Sequence, residues 1–419
     1  MVKVRPFAAL RPAAHIAGSF SAPPYDVIDR DEAARLASLC EDSILSITRP
    51  EINFDGDIDP FGKRCIEGAS RRLADMEKRG ILVDDNAPGY YLYTQVIGDR
   101  MQRGFVVCAS LDDYRSGRIA PHESTLKEQE DGRLALMEAL KMQCEPVFFG
   151  YRGDAVLEGI AEEVSKGVPD FVYEADGVRH SIHPVFDAGI IAAVTAAFAG
   201  IDKMYVIDGH HRSAAAERYA AKRLGEAPGA GADGHYNYVM ACCIPLEMLC
   251  NMDNNRLLAD LGGLSEDGFL KALEGSFTVE DAGGVPPSEI AAGRCCGLFL
   301  GGGWYRLWIK DGACDMSHPV ESLEGAVVSR RIFGEIMGIG DLRTTSRVES
   351  VGGIRGIGYL EQRVRSGDFR AAITLPPVKI SQIEAAADAG LTLPPKSTWF
   401  EPKLRSGFIL NRTLRSRPE

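Results

Sequence analysis

Short apolar runs alternate with longer amphipathic stretches along the chain, a pattern that predicts strands and helices in a mixed order. The apolar runs predict strands and β-hairpins at 90–97 with 102–109, 145–149, 170–174 with 178–183, 205–207 and 236–244. Helical spacing predicts helices at 29–39, 59–80, 125–142, 186–198 and 213–224. The organisation changes after residue 256, where new hairpin and helix signals begin. We therefore expect a mixed α/β (α+β) protein with two domains, 1–255 and 256–419.

Composition narrows the class of protein. The chain has 419 residues, 45% hydrophobic and 25% charged, which is typical of a globular protein with sizeable cores. The formal net charge of -12 argues against a nucleic-acid partner, since phosphate backbones select basic surfaces. We find no membrane span or secretory signal, and the ten cysteines lack zinc-ligand spacing. These features predict a cytoplasmic protein with reduced thiols and no membrane association.

One stretch combines several features of an anion site. Asp208-Gly209 predicts a tight turn between a buried strand and an Ala-rich helix, because glycine tolerates positive φ. Backbone N–H groups at a helix N-terminus converge and favour anions, phosphate above all. Two imidazoles and a guanidinium add donors and a fixed positive charge. We interpret this turn as the phosphate end of a nucleotide site, formed by Asp208, Gly209, His210, His211, Arg212 and Ser213.

A polar loop precedes the predicted helix 125–142. Thr125 with Glu128 can form a capping box, which gives Thr125 a structural explanation. His122 and Glu123 lie just outside that helix, after a proline. They are either a solvated pair or the source of a general base. The spacing of a zinc motif is missing, so we expect no zinc there.

Two proline-rich segments have open interpretations. The Pro-Pro-Tyr25-Asp26 loop is either a structural connection or a pocket wall that presents Tyr25 and Asp26. The C-terminal loop, residues 393–407, contains Lys396, Ser397 and Lys403 in a proline-stiffened context. It either closes the second domain as a surface loop or returns to the anion site.

Five motifs, taken in order, resemble one family along nearly the whole chain. They are Arg5-Pro-Phe with Arg11-Pro, Pro24-Tyr-Asp-Val, Pro121-His-Glu-x-Thr, Asp208-Gly-His-His-Arg and Pro395-Lys-Ser-Thr-x-Phe-x-Pro-Lys with Ser406-Gly. The family is the domain-of-unknown-function family ten-fifteen of bacterial and archaeal proteins. It has no settled activity, so the resemblance implies a shared fold and leaves the chemistry open.

The motif at Asp208–Arg212 also resembles, more distantly, the phosphate-binding box of the ParB/sulfiredoxin superfamily. This resemblance implies a ParB/sulfiredoxin-like nucleotide-binding core in 1–255. The free serine kinases of that superfamily transfer phosphoryl groups from ADP or ATP, and Glu123 is similar to their catalytic glutamate. Sulfiredoxin chemistry is not expected, because His210 replaces the required cysteine. DNA segregation is not expected either, because the acidic chain shows no clear helix-turn-helix.

Three hypotheses follow. The first is a kinase that uses ATP or ADP with Mg²⁺ to phosphorylate a small hydroxylated metabolite. Its catalytic residues would be Glu123, His211 and Arg212, with Asp208 as a metal ligand; Tyr25, Asp26, His122, Thr125, Lys396, Ser397 and Lys403 would be substrate-binding or peripheral. The second is a nucleotide-binding regulatory module without transferase activity. The third is that the two histidines are structural.

Overall fold

A computed structural model describes residues 1–226, 234–287 and 293–414. The chain forms two compact units: Met1–Pro121, Thr125–Leu249 and Pro402–Glu419 form the first, and His122–Ser124 with Cys250–Glu401 the second. This division differs from the expected boundary at 255/256, because the strand Asn254–Leu258 continues through that point within one sheet of the second unit. The end of the chain also belongs to the first unit.

The first unit is built on a mixed sheet. Its strands before the second unit are β1 Val4–Arg5, β2 Leu10–Pro12, β3 Leu82–Asp84, β4 Tyr90–Ile97, β5 Arg100–Ser110, β6 Ile119–Ala120, β7 Met142–Gln143, β8 Val147–Tyr151, β9 Phe171–Ala175, β10 Val178–Val185, β11 Met204–Asp208 and β12 Tyr238–Pro245. The main sheet has the order β6-β11-β8-β12-β5-β4-β10-β9, with β1 also paired to β5. β11 lies parallel to β6 and antiparallel to β8. The predicted mixed α/β class is therefore confirmed.

Helices cover this sheet. They are α1 Ala17–Phe20, α2 Arg30–Ala37, α3 Leu45–Thr48, α4 Lys63–Lys78, α5 Leu111–Arg115, α6 Lys127–Leu140, α7 Ala155–Ser165, α8 Ala188–Gly200 and α9 His210–Glu226. Local caps set some of their starts: the Asp187 carboxylate accepts a hydrogen bond from the Ile190 N–H at 2.9 Å. Apolar side chains of the sheet and helices form one core, in which Phe149, Phe198 and Val206 are buried.

The helix at the predicted anion site starts earlier than the expected 213–224. α9 begins at His210, directly after Gly209, because the glycine ends β11 and redirects the backbone. His210, His211, Arg212 and Ser213 therefore form the first helical turn. This places their backbone N–H groups at the helix N-terminus.

The second unit contains a separate antiparallel sheet and, among the residues that the structure describes, four α-helices. Its strands are β13 Cys250–Met252, β14 Asn254–Leu258, β15 Phe277–Gly283, β16 Cys295–Leu300, β17 Gly303–Ile309, β18 Val348–Gly352, β19 Ala371–Thr374 and β20 Trp399–Glu401. Its α-helices are α10 Glu266–Leu273, α11 Glu324–Val328, α12 Ile357–Arg365 and α13 Ile380–Asp388; π-helical turns at Ser329–Ile336 extend α11. The main sheet has the order β15-β17-β16-β19-β14-β18. The predicted hairpin 295–300 with 304–309 is formed by β16 and β17.

The chain then returns to the first unit, where β21 Asn411–Arg412 pairs with β7. Leu410 also exchanges backbone hydrogen bonds with Leu10. Among the described residues, every cysteine is a free thiol. A search of the described helices for a segment with the length and apolarity of a bilayer span finds none.

Candidate functional site

A glycine turn connects β11 to α9. Gly209 has φ +90°, a conformation that L-residues with a side chain rarely adopt. A Cβ atom at this position would lie 3.0 Å from Val147 Cγ1 and 3.1 Å from Arg212 Nη2. Only glycine therefore fits, and the backbone can turn sharply enough to direct the first N–H groups of α9 to one place.

Asp208 lies at the end of β11 between two cations. Its Oδ2 accepts a hydrogen bond from Lys403 Nζ at 2.6 Å, and its Oδ1 lies 3.6 Å from Arg212 Nη2. Burial alone would raise the pKa of this carboxyl, but the charges of Lys403 and Arg212 outweigh burial and hold the pKa well below its usual range. Lys403, one of the residues predicted from the C-terminal loop, therefore contacts the turn within the first unit.

Arg212 makes a hydrogen bond to a backbone carbonyl and two longer ionic contacts, with Glu145 and Asp208. Its side chain is 12% exposed, its Nη1 donates to the Pro146 carbonyl at 2.6 Å, and its Nε lies 3.9 Å from Glu145 Oε2. Burial opposes the charged form, but Glu145, Asp26 and Asp208 together raise the pKa of the guanidinium. Arg212 is therefore a permanent cation beside the turn.

Sequence reasoning did not select Glu145. It is 7% exposed, and its Oε1 accepts a hydrogen bond from Ser406 Oγ at 2.6 Å. The only signal was an acidic residue directly before a proline and a buried apolar strand. That signal is weak, because acidic residues at strand ends are usually solvated.

The two histidines have different surroundings. His210 is 6% exposed, and burial lowers the pKa of its imidazole to about 4 against the opposing effect of Asp208. It is therefore neutral at pH 7. His211 Nε2 accepts a hydrogen bond from the Leu126 N–H at 3.1 Å, which places the imidazole proton on Nδ1. His211 thus connects the turn to the residue that precedes α6.

Ser213 completes the first turn of α9. Its N–H donates to the Gly209 carbonyl at 2.9 Å, and its side chain is fully buried. Within the described ranges, its hydroxyl oxygen has no hydrogen-bond partner. Its predicted contact with a nucleotide remains a prediction.

Tyr25 and Asp26 lie on the same side of the first unit as Arg212. The Tyr25 ring lies 3.6 Å from the Arg133 guanidinium carbon, and its carbonyl accepts a hydrogen bond from Arg49 Nη1 at 2.7 Å. Burial raises the pKa of the Tyr25 hydroxyl far above its usual range. Tyr25 is thus a packing residue, whereas Asp26 is exposed and acts on Arg212 through its charge.

The expected capping box at Thr125 is wrong. α6 begins at Lys127 with Leu126 at the N-cap, and no side chain caps it. The Thr125 hydroxyl donates instead to the Glu130 carboxylate, because the helix starts too late for Thr125 to reach its first N–H groups.

The second unit brings together the two other predicted segments. The Leu393 N–H donates to the His122 carbonyl at 2.8 Å, and the Lys396 N–H lies 3.5 Å from Glu123 Oε1. His122 Nε2 lies 3.4 Å from Thr398 Oγ1. Residues 122–124 and the start of the C-terminal loop therefore form one cluster within that unit.

Arg256 donates hydrogen bonds to backbone carbonyls of this cluster, and it was not selected from the sequence. It is 3% exposed, its Nη2 donates to the Lys396 carbonyl at 2.8 Å, and its Nη1 donates to the Asn254 carbonyl at 2.7 Å. Burial lowers its pKa to about 10, and the Glu123 charge opposes that effect. The Ser397 hydroxyl donates locally to the Pro394 carbonyl at 2.6 Å. Arg256 lies in β14, which was not predicted, and a single buried arginine gives no periodicity signal.

The predicted Mg²⁺ ligand does not fit its surroundings. Both carboxylate oxygens of Asp208 face cations, Lys403 and Arg212. A divalent ion requires several oxygen ligands with negative charge. In the described part of the chain, no group of three or more His, Cys, Asp or Glu side chains is placed to hold a metal ion. We therefore derive no step through a metal at this position.

Comparison with solved structures finds several chains whose folds align with much of this chain at low sequence identity. A free serine kinase variant in complex with AMP has a TM-score of 0.38 and 10% identity, covering 73% of this chain and 92% of that chain. A free serine kinase variant with ADP has a TM-score of 0.37 and 11% identity over 75% of this chain and 95% of that one. C-terminally truncated SbnI from Staphylococcus aureus has a TM-score of 0.39 and 11% identity over 75% and 90% of the two chains. Scores this low do not carry a function from one protein to another.

Sequence comparison gives a firmer result. No curated protein matches the chain significantly. Residues 4–326 match the family described as protein of unknown function, DUF1015. The ParB/sulfiredoxin likeness stays a prediction, whereas the resemblance to the domain-of-unknown-function family is confirmed over residues 4–326. Because the match extends over more than half of its length, the chain belongs to the DUF1015 family.

Proposed function

We propose that the turn Asp208–Ser213 binds the phosphates of ATP or ADP and that the protein transfers a phosphoryl group to a small hydroxylated metabolite. One observation supports this proposal: a glycine-dependent strand–helix turn has two partly buried cations, Arg212 and Lys403, beside it. Lys403 is far from the turn in sequence, so the fold itself brings a second cation there.

The attraction for an anion at the turn comes from hydrogen-bond donors and the helix end more than from net side-chain charge. Asp208, Glu145 and Asp26 offset the charges of Lys403 and Arg212. The partial positive charge of the α9 N-terminus adds to them and is equivalent to roughly half an elementary charge. A phosphate would receive backbone N–H donors there. The neutral His210 adds no positive charge of its own.

The chemical step uses Glu123 as its predicted base. Its carboxylate would accept the proton of the metabolite hydroxyl as that oxygen bonds to the terminal phosphorus. The bond between that phosphorus and the bridging oxygen breaks, which leaves the shortened nucleotide. Glu123 belongs to the second unit, and its role rests on the resemblance to free serine kinases.

The test is a phosphotransfer assay with Glu123→Gln. We expect ATP or ADP, incubated with serine and other small hydroxy compounds, to give a phosphorylated product detectable by ³¹P NMR. Glu123→Gln should lower the transfer rate about 100-fold or more, while nucleotide affinity stays within twofold of the parent protein. Glu128→Gln, an exposed carboxylate in the first turn of α6, is the matched control and should retain full activity.

Retention of activity by Glu123→Gln would refute the base assignment. Loss of nucleotide affinity in the same variant would show that Glu123 contributes to nucleotide binding and does not act as the general base.

The second candidate is a nucleotide-binding regulatory module without transferase activity. The pairing of both Asp208 oxygens with cations favours it, because that carboxylate has no remaining face for a metal. A nucleotide-dependent change in oligomeric state without any phosphorylated product would support this candidate. If millimolar nucleotide gave no thermal shift, the histidines would be structural.

A further inference from the structure

A cavity of about 50 Å³ lies inside the first unit, close to Arg212. Part of its wall is apolar and includes Leu136, Leu140 and Val239. The polar part includes Arg133, which lies on α6 like Leu136 and Leu140, together with Glu145 and Arg212. At roughly 10–15 Å³ for each water-sized position, the cavity has room for about three to five non-hydrogen atoms.

Arg133 is an unusual residue for such a wall. It is 7% exposed, and its guanidinium contacts the Thr48 carbonyl at 3.4 Å and the rings of Tyr25 at 3.6 Å and Phe61 at 4.9 Å. None of these partners carries a negative charge. Its Nε has no hydrogen-bond partner within the described ranges. A buried cation without a carboxylate is costly, and proteins seldom keep one without an anion to pair with it.

The other charged groups of the wall are already matched. Glu145 accepts a hydrogen bond from Ser406 and faces Arg212, so it does not neutralise Arg133. The side chain of Gln143 carries no charge; it donates to the Tyr238 carbonyl and accepts from the Met240 N–H and from Asn411 Nδ2. The remaining charge on the cavity wall is that of Arg133.

We propose that this cavity binds a small aliphatic carboxylate, with the Arg133 guanidinium as its counterion. A carboxylate matches a guanidinium in shape as well as charge. The apolar wall favours a short hydrocarbon end over a fully hydrated inorganic anion, and the volume fits acetate or a hydroxyacid of similar size. The site does not depend on phosphoryl transfer and can be tested without nucleotide.

The experiment compares acetate with acetamide, which has the same shape and no charge. We expect the melting temperature of the full-length protein to rise saturably with sodium acetate, above the effect of sodium chloride at equal ionic strength. A ligand this small should bind with a Kd in about the millimolar range. Acetamide should give no shift. Inorganic phosphate should compete poorly with acetate when binding is measured by calorimetry.

Two variants and one control connect the response to the cavity. Arg133→Met should raise the acetate Kd about tenfold or more, because it removes the counterion. Val239→Phe should abolish binding by filling the space while it keeps the charge. Arg71→Met, on the exposed face of α4, should bind acetate as the parent protein does.

If Arg133→Met does not fold, Val239→Phe alone decides the question. The proposal is overturned if acetate and acetamide shift the melting temperature equally, if phosphate binds and acetate does not, or if Val239→Phe keeps the parent affinity.

Discussion

The ion pair between Lys403 and Asp208 should be a strong contributor to the stability of the first unit. The two atoms lie 2.6 Å apart, and the side chains are 16% and 19% exposed. Coulomb's law at an effective dielectric constant of about 20 gives an attraction of about 6 kcal/mol. Desolvation of both groups offsets much of it. We therefore expect a coupling energy of about 2 kcal/mol at pH 7.

A double-mutant cycle measures this coupling. Lys403→Met, Asp208→Asn and the double variant are compared with the parent by hydrogen-exchange mass spectrometry of peptides that span β11 and α9. Each single variant should lower the local opening free energy by about 2–3 kcal/mol, because it leaves a buried charge without its partner. The double variant should lose less than the sum of the two single variants.

A second ion pair of equal length provides the control. Lys222 Nζ lies 2.6 Å from Glu138 Oε1, but the side chains are 52% and 30% exposed. Solvent screens that pair, so its cycle should give a much smaller coupling than the cycle of Lys403 with Asp208. Equal coupling energies in the two cycles would refute the claim that burial strengthens the pair of Lys403 with Asp208. A coupling energy below about 0.5 kcal/mol for that pair would refute it as well.

The pH dependence has a definite sign. Because the folded-state pKa of Asp208 is lowered, its contribution is complete above the unfolded-state value near 3.8 and is lost as the pH falls below it. The coupling at pH 5 should therefore equal the coupling at pH 7.

Three further predictions test separate features. In thermal melts, Gly209→Ala should destabilise the first unit by about 1–3 kcal/mol through strain at positive φ. The control Gly200→Ala, at the end of α8, should leave the stability unchanged, since a Cβ atom there meets open space. His210 should titrate near pH 4 by NMR, and a normal titration near 6.5 would contradict the effect of burial. Because its folded-state pKa lies below the unfolded-state value, the stability of the protein should fall as the pH drops from about 6.5 toward 4. Arg256→Met should lower the free energy of unfolding by about 2–4 kcal/mol, because the carbonyls of Asn254 and Lys396 lose their donor. Unfolding followed by tryptophan fluorescence measures this loss, and an unchanged unfolding midpoint would contradict the role of Arg256.

The local structure around the turn was largely predictable. The strand, the glycine turn and the following helix come from neighbouring residues, and each has a local physical cause. Gly209 was identified from the conformational freedom that such a turn needs, and its φ of +90° agrees with this reasoning. The hairpin of β4 and β5 was also predictable, because two apolar runs flank a short polar turn.

The partners of the turn were not predictable in the same way. Lys403 reaches Asp208 across 195 positions of sequence, and Ser406 reaches Glu145 across 261. Neither contact leaves a local pattern, so the sequence supported only the alternatives of a surface loop or a return to the site. The Thr125 capping box failed for a different reason, because Thr125 stands one residue before the observed N-cap, Leu126.

The central claim is that Arg212 and the α9 N-terminus bind nucleotide phosphate, and calorimetry with ATP and adenosine tests it most directly. We predict that ATP binds at least about tenfold more tightly than adenosine, and that Arg212→Gln removes this preference while Arg223→Gln, farther along the same helix, retains it. Circular dichroism confirms that each variant is folded. Equal affinities for ATP and adenosine, or an unchanged preference in folded Arg212→Gln, would contradict the claim.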